Sequence, residues 1–258
     1  MTSFVPFTQT QVQDLVPSTT KKLCLFACHP SPDPNVQQYV LQLAKQFDLV
    51  LCLHSKNDQV VWQCPTQNVK SVIVPNYLLD MGMWMRVLIN LDMTGLDQIA
   101  LVNDSCTAIK PIDVLFQSNF TGFWGVCDSY EISHHIQSFF LVFEKAVVPL
   151  LDTFVKQLAP KIDNHDGDKR AIINSFEIGI STFIKEHSFE LDTVYNSTLV
   201  NAHPTPISPN VIRINPTYYY WDRMLSLGCP LLKKTRAHYE NEIEFIKQYR
   251  KIQNIKII

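Results

Sequence analysis

Glycine is scarce in this sequence, with seven residues in a chain of 258. They form neither a GxGxxG fingerprint nor a P-loop, so any phosphate must be held by side chains or a metal rather than by a glycine cradle. That argues against a dinucleotide dehydrogenase and against a P-loop kinase. Charge of one sign is also lacking: the formal net charge of −2 gives no global basic field to recruit nucleic acid or an anionic membrane. Nor is there a basic stripe with interleaved aromatics of the kind that tracks nucleic acid. No apolar run approaches the length of a membrane span. The opening residues, MTSFVPFTQTQVQDLVPSTTKK, have neither the basic start nor the long apolar core of a signal peptide. The seven cysteines are odd in number and irregular in spacing, with no CxxC and no His-rich tract. A zinc site is therefore not expected, and reduced thiols are. Together these absences describe a soluble, cytoplasmic protein, at most peripheral to a membrane.

What is present reads as an ordinary globular α/β chain. Hydrophobic residues make up 46% and charged residues 18%, a balance that supports a core rather than disorder. Residues 1–20 read as a polar, loosely held leader. After them, short apolar runs alternate with segments of helical spacing. Buried strands are expected at 21–29 (KKLCLFACH), 49–53 (LVLCL), 71–74 (SVIV) and 99–102 (IALV), and helices at 36–47, 80–91 and near 112–117. Unbroken apolar runs suit strands covered on both faces, so the sheet is expected to be largely parallel. In the second half, 123–126 and 138–143 read as strands joined by a polar, hairpin-like link. Helices are expected at 150–158 and 172–185, and a strand at 189–195. The proline-rich stretch 196–216 reads as a long loop, and long loops in compact domains tend to be functional. Helices over 218–227 and 237–252 are expected to close the chain.

Ligands of open α/β sheets gather at the carboxyl ends of the strands. The strand at 99–102 runs straight into Asn103, Asp104 and Ser105, a carboxylate between two small oxygen-bearing side chains. Such a carboxylate can share a divalent cation with a diphosphate. It can equally cap the next turn, as Asx residues do. Within FWGVCDSYEISHHIQSFFLVF (123–143), Asp128, His134, His135 and Gln137 lie between two strands, with His-x-Gln opening an aromatic one. Within NSFEIGISTFIKEHSFEL (174–191), Glu177 falls in the first turn of a helix whose apolar face is Phe176, Ile180, Phe183 and Ile184. There it is either a general base aimed into a cleft or a carboxylate favoured by the positive end of the helix dipole.

The order of these pieces resembles the rhamnan synthesis F family. The resemblance spans residues 22–236 and rests on LCLFACHPSPDPNVQQYVLQLAK, NYLLDMGMWMRVL, LVNDSCTAIKP, FWGV with HHIQSFFLVF, FEIGIS and NPTYYYWDRMLSLGCPLLKKTR. No single piece is specific; six in the family's order are. One departure is LLDMGMW, which lacks the glycine of the family's Gly-Tyr-Asp-Phe core.

The resemblance implies a single GT-A-like α/β domain over 21–258, with a Rossmann-like, mostly parallel central sheet flanked by helices. It implies a glycosyltransferase of polysaccharide assembly. The reaction would move a sugar, L-rhamnose with inversion, from UDP- or dTDP-rhamnose to a glycan hydroxyl. Glu177 is then the base, with His135 and Gln137 on the sugar or acceptor side. Asp80, Trp84, Asn103, Asp104 and Ser105 shape the donor site, although Trp84, at helical spacing from Leu88, can equally be core. Asp104 is the place for Mg²⁺ or Mn²⁺, and a metal-independent enzyme stays open. Lys233 and Lys234 stand near the leaving diphosphate, or form a solvated basic turn. Alternatives are a transferase for another nucleotide sugar and a non-catalytic nucleotide-sugar or carbohydrate binder.

Overall fold

The computed structural model describes residues 4–28, 34–55, 66–75, 78–164, 168–201 and 215–237. The chain begins with α1 (Gln9–Leu15), whose capping box pairs Thr8 and Gln11 reciprocally. There follow β1 (Lys22–Cys28), α2 (Pro34–Leu43), β2 (Leu49–Ser55), β3 (Val69–Val74), α3 (Leu79–Leu88) and β4 (Gln98–Asn103). β2 and β4 are buried from end to end and β1 from its second residue, which is why they read as unbroken apolar runs. Next come β5 (Cys106–Ala108), a 3₁₀ turn over Ile112–Phe116, β6 (Phe123–Gly125), β7 (Asp128–Ser129), β8 (His135–Ile136), β9 (Phe140–Glu144) and α4 (Val148–Leu158). A helical run then passes through α5 (Lys169–Ile173), a π turn (Asn174–Ile178) and α6 (Gly179–Glu186). β10 (Leu191–Thr193), α7 (Ser197–Asn201), α8 (Pro216–Tyr219), α9 (Trp221–Ser226), β11 (Leu231–Lys233) and α10 (Lys234–Ala237) complete the described chain.

Seven strands form the main sheet in the order β10-β6-β9-β4-β1-β2-β3. β1 to β4 are mutually parallel and β10 is parallel to β6, while β9 runs antiparallel between β4 and β6. The expected mostly parallel α/β sheet is what forms. The chain builds outward from β1 through β2 to β3, then returns to place β4 on the other side of β1. Their carboxyl ends therefore mark the point where strand order reverses, the usual crevice of such sheets.

Each face of the sheet carries its own core. Leu23, Leu25 and Ala27 of β1 point to the layer of α1, α3, α4 and α6, with Trp84, Phe143, Phe154 and Phe176. Cys24, Phe26 and Cys28 point to the opposite layer, with Tyr39, Phe140 and Met224. Trp84 is fully buried with its ring 6.1 Å from Phe176, so it belongs to this core and does not form a donor-pocket wall.

Other expectations are modified. Part of the leader is seated: Phe4, Val12 and Val16 join the core, and the Arg86 guanidinium donates to the Val5 carbonyl and lies 4.8 Å over the Phe4 ring. The stretch 196–216 holds α7 at its start, and 202–214 lie outside the described residues, as does 238–252 of the expected last helix. All six described cysteines are free and buried, and burial pushes the thiols of Cys24, Cys28 and Cys127 up, with Cys106 pushed up to about 11 and Cys229 to about 12.

Candidate active site

Glu177 does not start a helix. Asp168 is the cap, its carboxylate accepting from Arg170 N at 3.0 Å, and the run is already two turns old when it reaches Glu177. A dipole contribution falls off within the first turn, so the helix-dipole account of this carboxylate loses its basis. Instead Glu177 sits in the π turn, the kind of one-residue bulge that recurs at functional sites. Its neighbour Phe176 is buried against Trp84 and Phe154, which leaves Glu177 facing the cleft.

β8 brings His135 to this carboxylate. The strand can lie close over β6 because Gly125 has no side chain; a methyl there would overlap Ile136 and stand 2.7 Å from the Phe140 carbonyl oxygen. Ser181, fully buried on α6, accepts the Ile136 N–H at 3.1 Å and ties β8 to the helix carrying Glu177. His135 Nε2 then lies 3.1 Å from Glu177 Oε1, and Nδ1 2.7 Å from the Ser133 carbonyl. The Ser138 hydroxyl donates to Glu177 Oε2.

This geometry counts protons. The Ser133 carbonyl can only accept, so Nδ1 carries a hydrogen, and a carboxylate oxygen facing Nε2 requires one more proton between the two groups. Burial by itself pulls the His135 imidazole down. The hydrogen bonds to Glu177 and the Ser133 carbonyl, with the negative charges of Glu177 and Glu131, outweigh it and hold the group above its ordinary value near 6.5.

At the carboxyl end of β4 the Asx capping role falls to Asn103. Its Oδ1 accepts from Ser105 N at 3.0 Å and from Ser105 Oγ at 2.6 Å. Asp104 is buried, its N–H donating to the Ala27 carbonyl and its Oδ2 paired with Lys234 Nζ at 2.9 Å. β11 delivers that lysine by pairing antiparallel with β5, Lys233 opposite Cys106, while Lys234 N donates to the Ser105 carbonyl at 2.8 Å. Lys233 and Lys234 therefore belong to the turn rather than to a solvated basic surface.

One cleft of about 690 Å³ gathers Asp80, Asn103, Ser105, His135, Gln137, Glu177 and Lys233. Gln137 is buried, its Oε1 2.9 Å from Thr217 Oγ1 and 3.3 Å from Cys127 Sγ. Asn103, Ser105 and Lys233 line the cleft, whereas Asp104 and Lys234 do not. Asp128 serves α7 instead: its carboxylate accepts from Ser197 N at 2.8 Å and pairs with His134 Nε2 at 3.1 Å, and His134 stacks on Tyr130. Asp168, Lys169 and Arg170 also line the cleft, and sequence reasoning missed them because nothing local marks the start of that helix as facing the sheet. Ser181 was findable, four residues beyond Glu177 on one helical run.

A divalent cation, expected at Asp104, would have to share that carboxylate with Lys234. Among the described residues no group of three His, Cys, Asp or Glu is placed to hold a metal.

The profile of the family described as Rhamnan synthesis protein F matches residues 70–255. Virulence protein VirA of Vibrio anguillarum (strain ATCC 68554 / 775) and Virulence protein VirA of Vibrio anguillarum are each 23% identical over 183 residues, covering 62% of this chain. The chain spans 58% of the length of these curated relatives. Among solved structures, the apo-form glycosyltransferase GlyE of Streptococcus pneumoniae TIGR4 matches with a TM-score of 0.40 and 9% identity, over 67% of this chain and 45% of that one. A second GlyE structure gives 0.35 and 9%, over 60% and 43%.

Proposed function

This chain belongs to the rhamnan synthesis protein F family, and we propose that its cleft is the active site of a glycosyltransferase of polysaccharide assembly. The observation that carries the reading is the His135–Glu177 pair facing the same cleft as the Asn103–Ser105 turn at the carboxyl end of β4. A base and a diphosphate seat share one space, as transfer from a nucleoside-diphosphate sugar requires.

The acceptor is a glycan hydroxyl near Glu177, and the donor sugar lies between it and the Asn103–Ser105 turn, beside Gln137 and Asp80. The reactive enzyme is the form in which the pair has given up its shared proton. Nε2 then turns a lone pair to Glu177, so no imidazole hydrogen occupies the carboxylate oxygen that takes the acceptor's proton. As the acceptor oxygen attacks the anomeric carbon, its proton moves to Glu177 and the pair regains its usual occupancy. Attack in line with the departing diphosphate inverts the anomeric centre. We assign L-rhamnose, carried on UDP or dTDP, as the donor sugar, a choice supported by the family's description. No helix among the described residues is long and apolar enough to cross a membrane. We assign the protein to the cytoplasm, where nucleotide sugars reach it from solution.

Thermal stabilisation by a panel of nucleoside-diphosphate sugars tests this, since a ligand at a hundred times its Kd adds about 2.7 kcal/mol to a fold it binds selectively. Rhamnose donors should raise Tm most, and the glycan product should carry the inverted linkage. A panel in which nothing raises Tm and nothing is transferred would refute the reading.

A further inference from the structure

We infer that the charge on the departing diphosphate is met by Lys233, set in place by the Asp104–Lys234 ion pair, and that the transfer proceeds without a divalent cation. The inference rests on the glycosyltransferase reading and goes beyond it by assigning the leaving-group chemistry. It begins with the donor set. A hard cation needs oxygen ligands with negative charge to spare. At this turn Asn103 Oδ1 is engaged by both the amide and the hydroxyl of Ser105, and Asp104 Oδ2 by the Lys234 ammonium. The Asp104 side chain is 9% exposed and that of Lys234 28%, so the carboxylate is largely out of water while the ammonium is partly solvated.

Charge balance points the same way. One divalent cation on one carboxylate leaves a single net positive charge to receive a diphosphate. Lys233 and Lys234 against Asp104 leave the same charge with no ion at all. The ammonium groups divide the work by position. Lys234 is spent on Asp104, and its backbone N–H holds the Ser105 carbonyl. Lys233, one residue earlier and anchored in the β5–β11 pair, lines the cleft beside Asn103 and Ser105. Lys233 is thus the group that touches substrate, and Asp104 and Lys234 are positioning residues.

In the step itself the bond from the anomeric carbon to the diphosphate oxygen breaks, and that oxygen keeps the electron pair. The acceptor oxygen forms the new bond and yields its proton to Glu177. Lys233 stays an ammonium throughout, donating hydrogen bonds to the oxygen on which charge grows.

The test uses the full chain, dialysed against EDTA and assayed with a sugar donor in chelator. Transfer should stay within about twofold of the rate with added Mn²⁺, and Mn²⁺ titrated by EPR should show no protein-bound ion. Lys233→Met should lower kcat by roughly 10²–10³, the usual loss when one charge-stabilising donor is removed, with partial recovery in Lys233→Arg. Lys234→Gln strips Asp104 of its counter-ion and should create Mn²⁺ binding that the parent lacks. Transfer lost in chelator and restored by Mn²⁺ would overturn the inference while leaving the glycosyltransferase reading standing. So would parental kcat in a folded Lys233→Met protein. Absence of transfer from every donor, with and without metals, would sink the reading beneath it. Should Lys233→Met fail to fold, Lys233→Arg still tests that position, and the chelation and EPR arms on the parent decide whether a divalent cation takes part.

Discussion

His135 Nε2 and Glu177 Oε1 lie 3.1 Å apart although one is on a two-residue strand and the other in a π turn of a helix. Neither element is long enough to place its residue alone. Their meeting depends on Ser181 holding the Ile136 amide and on Gly125 leaving room beneath it.

Replacing Glu177 by glutamine keeps its shape and reach but removes its capacity to take a proton at neutral pH. Transfer by Glu177→Gln should fall by about a hundred- to ten-thousand-fold, the span that general-base catalysis supplies. Donor affinity should stay close to the parent's, and Tm should fall by no more than the lost His135 pairing accounts for. Calorimetric binding and a rate assay on the same preparation check this, and normal transfer would move the base elsewhere in the cleft.

The pH dependence follows from the imidazole. Its folded pKa is raised above the unfolded value near 6.5, so the stabilisation from its charged form is fully present below about pH 6.5 and is lost as pH rises through the folded value. The Tm difference between the parent and His135→Asn should therefore be widest near pH 6 (roughly) and close on the alkaline side. Transfer runs in the opposite sense, because the reactive pair has lost its proton: the acidic limb of kcat/KM should lie above pH ~6.5. A Tm gap that grows with pH would contradict the proton count.

The seat of β8 can be loosened at two points. In Gly125→Ala the Ile136 side chain can shift but the Phe140 carbonyl belongs to β9 and cannot, so a loss of about 1–3 kcal/mol is expected. Ser181→Ala leaves the buried Ile136 N–H without its acceptor, at a cost of about 1–3 kcal/mol. Both should reduce kcat more than donor affinity, since His135 moves while the Asn103–Ser105 turn does not. Urea unfolding with parallel kinetics separates the effects, and an unchanged kcat in either variant would show that β8 needs no such seat.

Leu78 and Leu79 both hold left-handed backbone, with φ of 63° and 57°. For an L-residue that conformation costs roughly 1–2 kcal/mol. Leu79 is 43% exposed, so Leu79→Gly should sacrifice little packing and, after glycine's own entropy cost, raise stability by up to about 1 kcal/mol. Thermal melts give the sign directly, and a lower Tm would mean that the leucine's partial burial outweighs the backbone relief.

Much of this protein was determined by sequence alone, wherever the cause is local or periodic. β1, β2 and β4 were legible because strands covered on both faces leave unbroken apolar runs. Ending such a strand on Asn103, Asp104 and Ser105 marks the crevice, and His135, Gln137, Glu177 and Lys233, all candidates on sequence grounds, line the same cleft. The division of roles within the turn was decided only in three dimensions. Asn103 and Asp104 differ by one oxygen-for-nitrogen exchange, and which of them caps and which pairs depends on where β11 brings Lys234, a residue remote in the chain. Trp84 sits at a spacing that fits core or cleft, and only the packing of Phe176 against it settled the choice. The π turn at Glu177 was likewise invisible, because apolar periodicity over 172–185 reports a helix but not one extra residue within it. Side chains that answer to neighbours along the chain can be read from sequence; those that answer to partners across the fold need the fold itself.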